Sequence, residues 1–267
     1  MLYPAELRGQ AGALLAQAMR SALALLVVLA AAACGGDPLD RLAEGERGRV
    51  EAVFMGGTFR LADGTEVRLA GLDVPGREDP GGPRAQAALA RLIEGRDVGL
   101  LYGGPRRDGY DRALAHARTV GGRRWVQGAL LDAGLARVRT RAEDRAMATE
   151  MLRREARARA KGQGLWADAA WRVLLPDEVG PGFVLVEGRA GEAVRSRAGL
   201  QVRLAGVVRE VRVTVPRKAA ADLEAAGAPV AAWPGRLLRI RGVARPILGG
   251  TIIRVDHPEQ VEVLRDP

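Results

Sequence analysis

The sequence has a single cysteine and only two histidines, and these shortages exclude two kinds of protein. Because Cys34 is the only cysteine, no disulfide can form within the chain, which excludes a disulfide-stapled scaffold. His116 and His257 are the only histidines, and without further cysteines they cannot build the Cys and His clusters that zinc sites use. We therefore expect no zinc site, and nothing in the sequence indicates a small-molecule cofactor.

Aromatic and lysine residues are also scarce, whereas arginine is abundant. The 267 residues include 4 Trp, 3 Tyr and 3 Phe, too few to provide many stacking platforms for a single-stranded nucleic acid. The net charge is +9, and of the 41 Lys and Arg residues only Lys161 and Lys218 are lysines. A basic excess suits a polyanionic partner such as nucleic acid or an anionic lipid surface. The even spread of arginine along the chain also fits a simple coding bias.

The uncharged apolar run Ser21–Ala33 is too short to cross a bilayer, which takes ~20 residues. Its length, and Arg20 before it, are typical of the apolar region of a secretory signal. The following Ala31-Ala32-Ala33-Cys34 resembles a bacterial lipobox, whose cysteine is lipidated. We therefore expect export, with the protein anchored to a membrane by lipidated Cys34 and facing the periplasm or the cell exterior. Ordinary signal cleavage after the small residues is the alternative.

The patterning along the chain predicts two globular domains. The first opens with period-2 alternation interrupted by Asp63-Gly64, a strong hairpin signal, and then shows helical spacing from Ala85 to Ile93. The second has several short strands and one Ala-rich helix, which suggests another small barrel. We predict a signal peptide at 1–33, a tether at 34–46, a first domain at 47–170, a linker at 171–181 and a second domain at 182–267.

The predicted elements of the first domain are strands at 48–54, 58–62, 66–72, 98–102 and 113–118, and helices at 85–93, 126–133 and 141–160. In the second domain the strands are expected at 183–189, 200–205, 207–215, 237–243, 251–255 and 261–264, and the helix at 217–226.

Six segments follow one another along residues 48–168: Gly56-Gly57-Thr58-Phe59, Val67–Pro75, Asp108–Ala115, Trp125-Val126-Gln127, Leu130–Ala136 and Gly164-Leu165-Trp166. In this order they resemble the thermonuclease family, of which staphylococcal nuclease is the familiar member. The resemblance implies a mainly β α+β fold, in which a five-stranded OB-type barrel with three helices precedes a second OB-like β domain. The carboxy-terminal domain, which ends with Asp256–Leu264, looks like the extra module found in some bacterial members.

The resemblance also implies a site that acts on phosphodiesters of nucleic acids or nucleotides. In the family a calcium ion is held by two aspartates, a glutamate acts on the attacking water, and two arginines bracket the phosphate. Arg68 and Arg112 stand at the arginine positions, and Asp73 stands at one aspartate position. Bidentate arginine pairing suits phosphate oxygens.

Two positions that are acidic in the family are occupied by glycine in this sequence. Gly57 stands where the second calcium aspartate belongs, and Gly76 stands where the glutamate belongs. One carboxylate, Asp73, gives Ca²⁺ too few charged ligands. A missing general base typically costs ~10²–10⁴ in rate. Glu78, or alternatively Asp79, is the nearest candidate for a substitute base.

Three hypotheses follow. The first is a catalytically impaired barrel that binds nucleic acid or a nucleotide through Arg68 and Arg112. The second is a divergent phosphodiesterase in which Glu78 or Asp79 acts with Asp73. The third treats both domains as protein-interaction scaffolds of the cell envelope. The sequence predicts no oligomeric state.

Overall fold

A computed structural model describes residues 37–264 except 198 and 207. The predicted signal peptide and Cys34 therefore lie outside the described residues. Residues from Leu42 onward form one compact unit, and residues Pro38–Arg41 form a short 3₁₀ helix in a separate one. Among the helices of the described residues, none combines the length and the apolar character that a membrane span requires.

The first part of the compact unit is a closed five-stranded barrel with strand order β1-β2-β3-β6-β5. Bulges in β1 bend this long strand, so that its first half pairs with β5 and its second half with β2. The strands are β1 Ala43–Phe54, β2 Thr58–Leu61, β3 Glu66–Leu69, β4 Leu72–Asp73, β5 Asp97–Tyr102, β6 Ala113–Thr119 and β7 Arg137–Val138; the helices are α1 Gly82–Ile93, α2 Val126–Asp132 and α3 Ala148–Ala160.

Local chemistry accounts for the turns and the packing of this barrel. Between β2 and β3, Gly64 adopts a positive φ of 86° and Asp63 Oδ1 accepts a hydrogen bond from the amide of Thr65 at 2.9 Å. The inward side chains of the strands, such as Phe59, are fully buried. Gln127 of α2 is buried too, and it exchanges hydrogen bonds with the backbone of β6. Helix α2 is thereby fixed against strand β6 of the barrel.

Several predicted boundaries differ from those observed, and three of them change how the first barrel is built. Strand β1 starts at Ala43 rather than at residue 48. The predicted strand 66–72 is broken, because Gly71 takes a φ of 72° and redirects the chain into β4, which pairs with β7. Helix α3 begins at Ala148 rather than at residue 141, since a turn joining Arg141 to Asp144 occupies the preceding segment.

The second part of the compact unit is a seven-stranded sheet with the same strand connections as the first barrel. Strands β8, β12, β13, β11 and β10 are neighbours in that order, and β11 and β13 are parallel, as β3 and β6 are. A bridge between Ala190 and Leu204 links the end of β8 to β10. The strands are β8 Gly182–Arg189, β9 Val194–Ser196, β10 Gly199–Ala205, β11 Glu210–Pro216, β12 Leu237–Ile247, β13 Gly250–Arg254 and β14 Val261–Val263, with helix α4 Arg217–Ala225 between β11 and β12.

The core of this second sheet is built from its inward aliphatic residues and from Trp233, which is 1 % exposed. The prediction of a mainly β α+β fold, with a five-stranded barrel and a second β domain, is confirmed. The repeated strand order explains why a helix precedes β12, just as α1 precedes β5.

A buried ion pair joins helix α3 of the first barrel to strand β12 of the second sheet. Arg241 donates from Nη1 and Nη2 to the two carboxylate oxygens of Glu155, each at 3.0 Å, and both side chains are almost fully buried. Burial alone would lower the pKa of Arg241, but Glu155 and Glu262 hold that pKa above its ordinary value. The pair also binds the strand β7 backbone, because the Val138 amide donates to Glu155 Oε2 at 2.5 Å and its carbonyl accepts from Arg241 at 3.1 Å.

Candidate functional site

The barrel brings the two predicted phosphate-contacting arginines to one end. Arg68 lies in β3 and Arg112 immediately precedes the parallel neighbour β6, so both side chains start from adjacent strands. Thr58 connects them, since it pairs with Arg68 across β2 and β3 while its Oγ1 accepts from Arg112 Nη1 at 3.4 Å. Cross-strand partners share a face of the sheet. The two guanidinium groups therefore face the same side of the barrel.

Arg68 is partly buried and has no carboxylate within ion-pair distance in the part of the chain that the structure describes. Its Nη2 donates to the carbonyl oxygen of Leu72 at 3.3 Å, and its Nη1 lies beside Gly56, where an added Cβ would come within 3.2 Å. Burial lowers the pKa of Arg68, and the nearby positive charge of Arg112 lowers it further. Arg68 is thus a desolvated cation whose donors are mostly unused.

Arg112, in contrast, is fixed by Asp108. The Asp108 Oδ2 atom accepts from Arg112 Nε at 2.9 Å and from Nη2 at 2.7 Å. Burial alone would raise the pKa of Asp108, but hydrogen bonds from the Arg112 side chain and from the amides of Tyr110 and Arg112 outweigh it and lower that pKa. Tyr110 is 84 % exposed, with its ring 5.2 Å from the Arg112 guanidinium. Asp108 thus binds Arg112 through Nε and Nη2, so that Nη1 of Arg112 points toward Thr58 and Arg68.

Asp73, the predicted calcium ligand, is bound by two arginines instead. Its Oδ2 accepts from Arg137 Nη2 at 2.7 Å and its Oδ1 accepts from Arg139 Nη1 at 3.3 Å. Arg137 faces Asp73 directly because β4 and β7 pair at these residues. Neither Arg137 nor Arg139 was predicted from the sequence. Strand β7 has only two residues, too few for a periodic pattern, and it is distant in sequence from Asp73.

The donor set around Asp73 does not fit calcium. Ca²⁺ takes 6–8 oxygen ligands, whereas both oxygens of Asp73 already accept from guanidinium groups. Within residues 37–264, apart from the two gaps, no three His, Cys, Asp or Glu side chains cluster in a way that could hold a metal ion. The positive charge beside Asp73 comes from Arg137 and Arg139.

At Gly57, the family's second aspartate position, the space for a side chain is occupied by the apolar side chain of Val74. Gly57 has a φ of 73°, and an added Cβ would lie 2.7 Å from Val74 Cγ2. Val74 is buried, and in this sequence it stands where the family has a threonine. The two departures from the family pattern therefore contact each other. An aspartate at position 57 would collide with Val74 and would also be strained by the positive φ.

The candidate substitute bases lie on an exposed loop. Asp79 Oδ2 accepts from the amide of Gly76 at 2.8 Å, so its carboxylate folds back onto its own loop. Glu78 is also exposed. The largest charge effects on Arg68 come from Arg112, Asp73, Arg139 and Asp108. The structure thus brings Asp73 toward the two arginines, whereas Glu78 and Asp79 lie on the exposed loop.

Comparison with known proteins agrees with this architecture. Residues 66–168 match the family model described as "Staphylococcal nuclease homologue". A search of curated proteins found no match. The matched segment begins at β3, ends after α3, and contains Arg68, Asp73 and Arg112. Residues 66–168, together with the closed five-stranded barrel that they help to build, therefore form a staphylococcal nuclease-like domain.

Proposed function

We propose that the barrel binds nucleic-acid phosphate groups between Arg68 and Arg112 and does so without calcium-dependent hydrolysis. The observation that carries the proposal is the partly buried Arg68 guanidinium, which has no carboxylate partner in the described part of the chain. A staphylococcal nuclease-like domain suggests a nuclease-type or nucleic-acid-binding function.

The electrostatics of the pair support an anionic ligand. Arg112 and Arg139 both act on Arg68 with like charge, and the opposing carboxylates, Asp73 and Asp108, are engaged with other arginines. A phosphate between Arg68 and Arg112 would relieve this repulsion, and its oxygens would accept hydrogen bonds from the guanidinium N–H groups. Charge-assisted hydrogen bonds of this kind are about twice as strong as neutral ones.

The same geometry supports impaired catalysis. Hydrolysis of a phosphodiester needs a group to deprotonate water and a cation to stabilise the added charge. No carboxylate stands at Gly76, and Asp73 is held by Arg137 and Arg139. A divergent phosphodiesterase would need Glu78 or Asp79 to leave the exposed loop. The binding test below can detect that alternative.

Replacing both site arginines by alanine is expected to weaken nucleic-acid binding at least about tenfold, since hydrogen bonds to charged groups contribute roughly 1.5–3 kcal/mol each. The measurement is fluorescence anisotropy of the purified protein with labelled DNA and RNA oligonucleotides over a range of salt concentrations. For a single strand, the slope of log K against log salt should fall by about 0.7 per lost phosphate contact.

The matched control is Arg91→Ala/Arg236→Ala, which removes two exposed arginines outside the site and should leave affinity nearly unchanged. Binding should also be the same in EDTA and in Ca²⁺. Cleavage of the oligonucleotides that is abolished by Arg68→Ala/Arg112→Ala would instead establish the phosphodiesterase. Absence of both binding and cleavage in the wild-type protein would leave only the interaction scaffold.

We further propose that the protein is exported and held at a membrane by lipidated Cys34, a suggestion that rests on the apolar run and the Ala-Ala-Ala-Cys sequence alone. Cys34→Ala is expected to move the protein from the membrane fraction to the soluble fraction of the cell envelope. Fractionation followed by immunoblotting measures this. Equal membrane retention of wild type and variant would refute the anchor.

A further inference from the structure

We propose that a single strand of nucleic acid, bound at Arg68 and Arg112, continues into a cationic groove between the nuclease-like barrel and the second sheet. This inference rests on the proposed function and extends it by assigning a ligand path to the second sheet. The groove has a volume of about 810 Å³. Its walls are the loop Arg139–Glu143 on one side and the outward face of the sheet on the other.

The sheet register defines the outward face. In β12, Val243 and Arg245 share a face because strand residues two apart point the same way. Arg245 pairs with Ile252 of β13, and Arg254 lies two residues further on. Phe183 of β8 pairs with Val243 and joins the same face. The result is an apolar strip, formed by Phe183, Val243 and Ile252, that is flanked by two exposed arginines.

The charge of the groove is strongly positive. Of the basic side chains that line it, Arg241 is neutralised by Glu155 and Glu262. Arg254 pairs with Asp256 at an exposed position. The others include Arg141, Lys218 and Arg245, none of which forms an ion pair within the described residues. The basic lining residues are Arg139, Arg141, Lys218, Arg241, Arg245 and Arg254, against the carboxylates Glu143 and Asp256.

Arg139 makes the groove continuous with the nuclease-like site. It lines the groove, its Nη1 donates to Asp73 at 3.3 Å, and its charge acts on Arg68. Its guanidinium also lies 5.4 Å from the centroid of the Phe183 ring. Arg139 therefore links the arginines of the nuclease-like site to the basic lining of the groove on the second sheet.

The combination of apolar strip and flanking cations favours a single strand over a duplex. The bases of a single strand can lie against apolar side chains while its phosphates meet the cations at the edges. A duplex keeps its base faces stacked inside the helix, so it could not lay them against the strip of Phe183, Val243 and Ile252. Because Phe183 is the one aromatic side chain lining the groove in the described part of the chain, phosphate contacts should dominate the affinity. The binding should therefore be strongly salt-dependent.

The test compares two single-stranded oligonucleotides, of roughly 4 and roughly 16 nucleotides, which span the range of site sizes of OB folds. Arg245→Ala/Arg254→Ala should reduce the salt slope of the long oligonucleotide by about 1.4 and leave the short one unchanged, given about 0.7 per phosphate contact. Arg68→Ala/Arg112→Ala should weaken both. Arg141→Ala/Lys218→Ala, on the remaining parts of the wall, provides a second variant pair, and Arg91→Ala/Arg236→Ala is the matched control.

The outcomes separate the two proposals. Equal affinity of wild type and both groove variants for the long oligonucleotide would overturn the path while the arginine site stood. Tighter binding of a duplex of the same length than of the single strand would also overturn it. If the wild-type protein bound neither length, the proposed function itself would fail, and the path with it.

Discussion

Replacement of Glu155 by alanine is expected to lower the free energy of unfolding by about 3–5 kcal/mol, the usual cost of removing one partner from a buried ion pair. Glu155 is fully buried and accepts from both terminal nitrogens of Arg241. Without Glu155, Arg241 would keep Glu262, which is only partly buried. Urea denaturation followed by circular dichroism measures the effect.

The matched control is the double replacement Glu155→Met/Arg241→Met. Buried ion pairs replaced together by apolar side chains of similar volume are often neutral or stabilising. The double variant should therefore recover most of the stability that Glu155→Ala loses. A single variant as stable as the wild-type protein would show that the barrel and the second sheet do not depend on this contact.

The same ion pair should influence the site through strand β7. Glu155 and Arg241 bind the peptide groups of Val138, and Val138 lies between the two arginines that hold Asp73. We expect the double methionine variant to fold and still bind the long oligonucleotide less tightly, because Arg137 and Arg139 lose their backbone anchor. Unchanged affinity in that folded variant would mean that β7 is positioned by pairing with β4 alone.

Acid is expected to destabilise the protein through His116. The imidazole is buried in β6 against Trp125, and burial lowers its pKa from 6.5 to about 4. As pH falls below 6.5, His116 is protonated in the unfolded chain but stays neutral in the folded protein until the pH is about 4. The free energy of unfolding should therefore be unaffected by His116 above pH 6.5 and should fall by about 3 kcal/mol between pH 6.5 and 4.

His116→Leu isolates this contribution. The carboxylates titrate in both proteins, so the difference between their stability profiles from pH 8 to pH 4 reports on His116. In the wild-type protein Nδ1 has no hydrogen-bond partner in the described structure. Parallel profiles for the two proteins would show that His116 is protonated, or solvated, in the folded state.

Local signals in the sequence predicted most of the fold. Asp63-Gly64 located a hairpin because only a few residues tolerate its backbone angles, and the spacing from Ala85 to Ile93 located a helix because one face had to be buried. The break at Gly71 was missed, since Val67, Leu69 and Gly71 occupy alternate positions whether or not the chain turns there. The start of α3 was missed because a turn joining Arg141 to Asp144 occupies the segment before Ala148.

The candidate site could be predicted only in part. Arg68 and Arg112 were found because the residues around them resemble a known family. Arg137 and Arg139 lie about 65 residues from Asp73 in sequence, and nothing local marks them as its partners. Glu155 sits among arginines on a polar helix, where sequence alone indicates a solvated surface. Its burial is imposed by the second sheet.

The contact between Gly57 and Val74 has a consequence for any attempt to restore a metal-binding turn. A carboxylate introduced at position 57 meets the Val74 methyl group, and a threonine introduced at position 74 alone gains no ion to contact. Neither substitution alone, at position 57 or at position 74, would create a metal site. Even the two together leave Arg137 and Arg139 bound to Asp73. A carboxylate-based ion site at this turn would therefore require changes at positions 57 and 74 together with release of Asp73 from Arg137 and Arg139.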